Sequence, residues 1–162
     1  TSFIRSGTID LQTFFINSIR DMSNNIRAIN KSDLDDLKIV IETSGLFPAD
    51  LLEGMVSDYF SNLETEEIWL TRLDNNRPVA IAYCTPERLT DGTYNQYLIA
   101  VHKDFQGQGI GGEIMRYVES LLQSKGKRIL LVETSGLPEF ELTRKFYDKC
   151  GYSREAIIRD FY

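Results

Sequence analysis

The 162-residue chain predicts an α/β domain on one mixed β-sheet, antiparallel in its early strands and parallel in the middle. Three observations lead there. Two β-rich runs, 67–74 and 78–85, flank Asn75-Asn76, residues that tolerate positive φ, and so form a hairpin. A further extended stretch, 93–101, follows the Asp91-Gly92 turn. Strand, helix and strand over 93–133 then have the spacing of a crossover, which makes the runs 93–101 and 128–133 parallel.

In chain order, residues 1–24 stand apart from 25–162. Leu11, Phe14, Phe15, Ile19 and Met22 share one helical stripe behind a capping Asp10, which reads as an N-terminal helical extension packed on the domain or on a second copy. A short strand at 26–29 is followed by a helix capped by Ser32 or Asp33, carrying Leu34, Leu37 and Ile41, and stopped by Gly45. Pro48 opens a second helix with a wide apolar face of Leu51, Leu52, Met55, Val56, Tyr59 and Phe60. After the three strands, 109–124 places Ile110, Ile114, Tyr117, Val118, Leu121 and Leu122 at helical spacing. The run Ile129-Leu130-Leu131-Val132 lacks alternation, as suits a strand covered on both faces. A helix over 138–150 ends at Gly151, and 152–162 reads as a final strand.

Eighteen Lys and Arg against 24 Asp and Glu leave a net charge of −6, which argues against a general nucleic-acid binder. No apolar run approaches the roughly 18 residues needed to span a bilayer. The N-terminal residues lack the apolar core of a secretory signal, and cytoplasmic is the default location. Cys84, Cys150 and the single His102 have no metal-ligand spacing, so no metal is expected. Both cysteines read as small buried hydrophobes, although spacing alone leaves a disulfide open.

The informative segment is Gln106-Gly107-Gln108-Gly109-Ile110-Gly111-Gly112, between a strand and a helix. Each glycine disfavours helix by roughly 1 kcal/mol against alanine, and a simple turn needs one or two of them, not four. The first N–H groups of a helix have no internal partner and sit at the positive end of its dipole. Bare glycines let a diphosphate approach those amides. The P-loop lysine–hydroxyl pair is missing. The Gly107-x-Gly109-x-x-Gly112 spacing follows antiparallel strands, away from its dinucleotide-binding context.

This segment resembles the acetyl-coenzyme A motif of the GNAT superfamily of N-acetyltransferases, Gln/Arg-x-x-Gly-x-Gly/Ala, led by residues 99–105 with Lys103 where a proline is usual. Residues 144–152 resemble the second signature of that superfamily, a helix bearing Phe-Tyr before Gly-Phe/Tyr, here Phe146-Tyr147 and Gly151-Tyr152. The resemblance covers roughly 25–162 and is specific over 97–152. It implies a splayed sheet with helices on both faces. It also implies direct acetyl transfer from acetyl-coenzyme A to a primary amine of a small molecule or peptide, without a covalent enzyme intermediate. Amides of Gln106, Gly107, Gln108, Gly109, Ile110 and Gly111, with Gly112 beside them, would hold the pyrophosphate. On the cofactor-binding strand Ile99-Ala100-Val101, Ile99 and Val101 would offer main-chain groups to the pantetheine arm and thioester carbonyl, and Thr143 would line the channel. Tyr147 would be the general acid, its phenol (pKa about 10) reasonably matched to a thiol near 8.5.

For the base, Asn95 and Gln96 occupy the strand where an acid is expected, so Glu133 is the first candidate, with Glu87 and Asp91 as substitutes. Glu133 also reads as a carboxylate satisfied by the Thr134-Ser135 turn, and His102 as a packing or solvent-facing residue. Arg144, Lys145 and Lys149 read as a solvated helical face, one of them able to meet the 3′-phosphate of coenzyme A. The acceptor pocket would lie between the two early helices and the 85–94 loop, walled by Tyr59, Phe60, Tyr83, Tyr94 and Tyr97, aromatics that read equally as core. The alternative function is a non-catalytic acyl-coenzyme A-binding sensor. Because the last strand stops at Tyr162, either the chain is trimmed or a second copy supplies that edge as a homodimer.

Overall fold

A computed structural model describes the backbone of residues 2–5 and the whole of residues 25–158. The helix expected over 10–22 and the end of the final strand lie outside the described residues. Strands are β1 (Ser2–Arg5), β2 (Ile26–Ala28), β3 (Ile68–Asp74), β4 (Arg77–Pro86), β5 (Thr93–Val101), β6 (Ile129–Glu133) and β7 (Ser153–Ala156). The helices are α1 (Leu34–Ser44), α2 (Leu51–Ser61), α3 (Ile110–Ser124) and α4 (Glu141–Lys149). One seven-stranded sheet runs β2-β3-β4-β5-β6-β1-β7. β5 and β6 pair in parallel and the other neighbours antiparallel, so the sheet is mixed as expected.

The β3–β4 hairpin turns on Asn75 and Asn76 at φ 48° and 63°, the paired left-handed residues that match strand twist in a two-residue loop. Both faces of the sheet are covered, which is why Ile68, Trp69, Leu70 and Thr71 are all buried instead of alternating. Under α3 and α4, Ile110, Ile114, Met115, Val118, Leu122 and Tyr147 pack on Leu70, Ala80, Ala82, Leu130 and Val132. Under α1 and α2, Leu37, Val40, Ile41, Leu52 and Val56 pack on Trp69, Ile81, Leu98 and Ala100.

Three elements differ from expectation. Asp33 holds the N-cap position of α1 as expected, but its side chain closes the preceding 3-10 turn instead, in a reciprocal capping box with Asn30. Asp33 Oδ2 accepts from Asn30 N at 2.7 Å, and its carboxylate holds the Arg27 guanidinium at 2.7 and 2.9 Å. In α2, Leu51 and Met55 are exposed, so its buried face is narrower than the sequence suggests. Pro48 O accepts from Leu51 N in a preceding turn, delaying the helix to Leu51. Finally, Ser2–Arg5 supplies a strand between β6 and β7 that was not expected, in register from Ser2 opposite Glu133 to Arg5 opposite Leu130, and β7 remains at the sheet edge. Among the described residues no helix is long and apolar enough to cross a membrane.

Candidate active site

The site begins where β5 and β6 part. Their parallel register runs from Thr93 opposite Ile129 to Gln96 opposite Val132 and stops there, although β5 continues to Val101. At the same level β5 carries a bulge, because Tyr83 pairs with Leu98 while Cys84 pairs with Gln96, leaving Tyr97 as the extra residue. The buried Gln96 stitches the bulge by donating its amide to the main-chain oxygens of Tyr83, at 3.1 Å, and Leu98. Gln96, in the place where an acid is expected, therefore holds the bulge together.

His102 N donates to Val79 O at 2.9 Å, so along the antiparallel ladder Ala100 and Leu98 also turn their main-chain groups toward β4. Ile99 and Val101 therefore turn theirs toward the gap beyond β6. Ala100, between them, is buried and pairs with Ile81 of β4. Gln106 Nε2 donates to Val101 O at 3.0 Å and Gln106 N to Lys103 O at 3.3 Å. Gln106 thus folds the glycine loop over the strand end, and its own amide N–H is committed.

The four glycines separate by job. Gly107 and Gly109 have φ of 75° and 85°, and a Cβ on either would enter open space. Gly109 caps α3, and Glu113 N, bonded to Gly109 O at 3.0 Å, closes the first helical turn. The N–H groups of Ile110, Gly111 and Gly112 precede that turn and have no helical acceptor. Gln108 folds its carboxamide back onto Asp104 O at 3.0 Å. A Cβ on Gly111 would stand 3.0 Å from Phe146 Cε2, so that glycine admits the α4 ring. A Cβ on Gly112 would meet only the tip of Arg116, at 3.3 Å. Open glycines at positive φ beside unpaired helix-start amides fit a diphosphate.

Tyr147 lies in the core beside this loop, 4% exposed, with ring centroids 5.1 Å from Phe146 and 5.9 Å from Tyr152. Burial pushes its phenol well above the ordinary value, so the hydroxyl stays protonated. Thr143, one turn earlier, is half-buried. Arg144 donates to Ser135 O at 2.6 Å and Leu137 O at 2.8 Å, pinning the β6–α4 loop, and Lys145 pairs with Glu141 at 2.7 Å. His102 Nδ1 accepts from Asp104 N at 3.2 Å, capping the turn after β5. Cys84 and Cys150 are free thiols, and burial pushes the former up to about 12.

On the opposite face, strand alternation assembles a set the sequence reading only partly found. Leu130 and Val132 pack under α3 and α4, so Glu133 points to the α1–α2 side, as do Trp69, Tyr83 and Asn95. Trp69 and Tyr83 stack at 4.0 Å, and Tyr97 stands 6.1 Å from Tyr83 with 58% of its surface exposed. Glu67 accepts from the Tyr83 hydroxyl at 3.2 Å and from Trp69 Nε1 at 3.0 Å. Burial and that carboxylate push the Tyr83 phenol up to about 12. Glu87 accepts from Asn95 Nδ2 at 3.2 Å. Burial, Glu87 and Glu133 raise the Tyr97 phenol, so both acids stand near its ring. Asp91 lies elsewhere, its carbonyl held by Arg128 at 2.6 and 3.1 Å. Tyr94 packs on the α3–α4 face, while Tyr59 and Phe60 stay with α2 against the other core. Glu67 was missed; the signal for it was its position two residues before Trp69, just ahead of β3. Among the described residues, no three His, Cys, Asp or Glu side chains are grouped to hold a metal ion.

Comparison with known proteins bears on the fold and the family. A protein from Desulfovibrio desulfuricans assigned to the GNAT family superposes with a TM-score of 0.79 at 28% identity, over 85% of this chain and 89% of that one. The ribosomal-protein-S18-alanine N-acetyltransferase of Escherichia coli gives 0.66 at 19% identity, over 85% and 82%. The PaiA N-acetyltransferase of Thermoplasma acidophilum, in complex with coenzyme A, gives 0.68 at 15%, over 83% and 92%. The two last share the fold. The model of the acetyltransferase (GNAT) domain matches residues 64–154, more than half of the sequence, and the chain belongs to that family.

Proposed function

We propose that this protein transfers an acetyl group from acetyl-coenzyme A directly to a primary amine of a small molecule or peptide. One observation carries the reading: the break between β5 and β6 after Gln96 and Val132, with the Ile99 and Val101 main chain turned into the gap beside the open glycines of α3. The coenzyme A in the PaiA structure, and the acetyl-coenzyme A in a GNAT structure from Brucella melitensis, support the choice of donor.

The helix-start amides of Ile110, Gly111 and Gly112, with the open backbone at Gly107 and Gly109, hold the pyrophosphate. Ile99 and Val101 orient the pantetheine arm through main-chain hydrogen bonds. When bound, acetyl-coenzyme A supplies an activated thioester and a thiolate leaving group. Glu133, at the parting of the strands, takes the proton from the acceptor ammonium so that a neutral nitrogen attacks. Tyr147, the buried side chain of α4, gives its phenolic proton to the departing sulfur. Beside the loop, Phe146 against Gly111 fixes α4 to the start of α3, which sets where Tyr147 stands.

Calorimetric titration with coenzyme A, followed by thiol release with a panel of amines, tests the reading. Saturable binding and amine-dependent release are expected; binding without release would make the chain an acyl-coenzyme A sensor. Glu133→Gln should lower turnover with coenzyme A affinity unchanged; unchanged turnover would remove Glu133 as base.

A further inference from the structure

We propose that Gln96 is a positioning residue for the thioester carrier, because its buried carboxamide fixes the bulge that turns the Ile99 and Val101 main chain into the gap. This deepens the acetyl-transfer reading above and rests on it. In a regular strand, main-chain groups that face one neighbour recur at every second residue. At the start of β5, Thr93 O accepts from Glu87 N at 2.9 Å, so Thr93 faces β4. Just past its end, His102 N donates to Val79 O at 2.9 Å, so His102 faces the same strand. These two residues are an odd number of positions apart, which a regular strand does not allow. Tyr97 breaks the count, left over where Tyr83 pairs with Leu98 and Cys84 with Gln96. In an unbulged β5, Leu98 and Ala100 would face the gap, and Ile99 and Val101 would be spent on β4.

An extra residue puts backbone groups out of step with the neighbouring strand, and a buried strand needs them held. Gln96 holds them from the last pair before the strands part, opposite Val132. Its Nε2 donates to Tyr83 O on β4 at 3.1 Å and to Leu98 O on the far side of the bulge. Both partners are carbonyl oxygens, so the nitrogen is the end that faces them. The side chain is 3% exposed, and water does not compete for either bond. Its Oε1 is buried with no hydrogen-bond partner among the described residues, which is unfavourable. An apolar side chain of the same length would avoid that penalty, so packing alone does not call for glutamine here. Gln96 touches no reacting atom; it acts through Ile99 and Val101, which orient the pantetheine arm. The glycine loop lies past the end of β5 and is tied down separately, by Gln106 on Val101 O. Loss of the Gln96 carboxamide therefore disturbs the arm and spares the pyrophosphate.

Two ligands separate the halves of the site: coenzyme A, and adenosine 3′-phosphate 5′-diphosphate, which is coenzyme A without its pantetheine arm. Calorimetry measures the Kd of each for the parent, for Gln96→Met and for Thr71→Val. Methionine keeps the length of glutamine and removes its N–H donors. Thr71→Val is the control, since it removes another buried bond, Thr71 Oγ1 to Ala80 O at 2.9 Å, on a strand away from the gap. Gln96→Met should weaken coenzyme A about tenfold, the worth of one well-placed hydrogen bond, with the Kd of the nucleotide unchanged. Its kcat should fall too, whereas Thr71→Val should alter neither the ratio of the two Kd values nor kcat. Equal effects on both ligands in Gln96→Met, or none, would overturn the inference and leave acetyl transfer intact. The same selective loss in Thr71→Val would overturn it as well. Should Gln96→Met not fold, Gln96→Asn, whose shorter carboxamide does not reach both carbonyls, takes its place in the comparison. Amide exchange on the parent checks the strand directly: Ile99 and Val101 N–H should gain protection when coenzyme A is added, while Leu98 and Ala100 stay protected throughout. The reverse pattern would overturn the inference. A parent that binds no coenzyme A would remove the acetyl-transfer reading itself.

Discussion

The two faces of the sheet are built by one rule and end in opposite chemistry. Under α3 and α4 the strands meet a closed apolar layer, and its opening is the glycine loop at the start of α3. Under α1 and α2 the helices cover Ile81, Leu98 and Ala100 but leave Tyr97 exposed, with carboxylates around it. The first face ends in open glycine backbone at a helix start, the second in carboxylates and aromatic rings, and β5 and β6 part between them after Gln96 and Val132.

The sharpest break of this division is Tyr147→Phe, which removes a proton donor from the closed face and nothing from the open one. Turnover should fall by about 10²-fold, the lower range for general acid catalysis, with coenzyme A affinity changed much less. Turnover that stays the same while the melting temperature drops would make the hydroxyl a packing group. Next in size is the contrast within the glycine loop. Gly109→Ala forces an L-residue to φ near 85° and pushes a methyl into the cradle, so coenzyme A affinity should fall about tenfold. Gly111→Ala should spare affinity but cost about 1 kcal/mol of stability, since overpacking on Phe146 outweighs the helix propensity gained. Gly112→Ala, against a flexible arginine tip, should change neither. Calorimetry and thermal melts on the three variants separate these jobs.

The sequence was legible where backbone requirements show as composition. Asn75-Asn76, the glycine loop and the unbroken run of β6 each announce a local geometry that few residues satisfy. The acceptor side was not legible in that way, because its residues come from β3, β4, β5 and β6 and meet only through pairing register. Tyr97 is typical: its exposure follows from a bulge produced by Tyr83 and Cys84 pairing out of step, which no local pattern shows. The same holds for Ser2–Arg5, whose place between β6 and β7 depends on partners more than 120 residues away.

A third test bears on how the open face keeps its helices. The Arg27 hydrogen bonds hold the Asp33 carboxyl below the usual range despite burial, tying β2 to the start of α1. A depressed pKa means this stabilisation is complete above the unfolded value of about 3.9 and is lost as pH falls through the folded value. Asp33→Asn should therefore cost about 1 kcal/mol at neutral pH, discounted because Arg27 is partly in water, and the difference from the parent should vanish at strongly acid pH. Urea melts across pH check both limbs; a constant difference would assign the loss to the capping box alone.

The smallest expected effect concerns Leu89, in the loop that carries Glu87. Its φ of 58° is a left-handed conformation that a leucine adopts at a cost of about 1 kcal/mol, and its side chain is fully exposed, so no packing offsets that strain. Leu89→Asn keeps an L-residue that tolerates this conformation and should raise stability by about 0.5 kcal/mol. The same variant asks whether the loop tip touches the acceptor. Strain kept without a packing reward is what a contact residue would show, and then the KM for the amine should rise as the protein grows more stable. Stability gained with an unchanged KM would confine acceptor recognition to the aromatic wall and its carboxylates, and leave the tip of the loop as turn geometry alone.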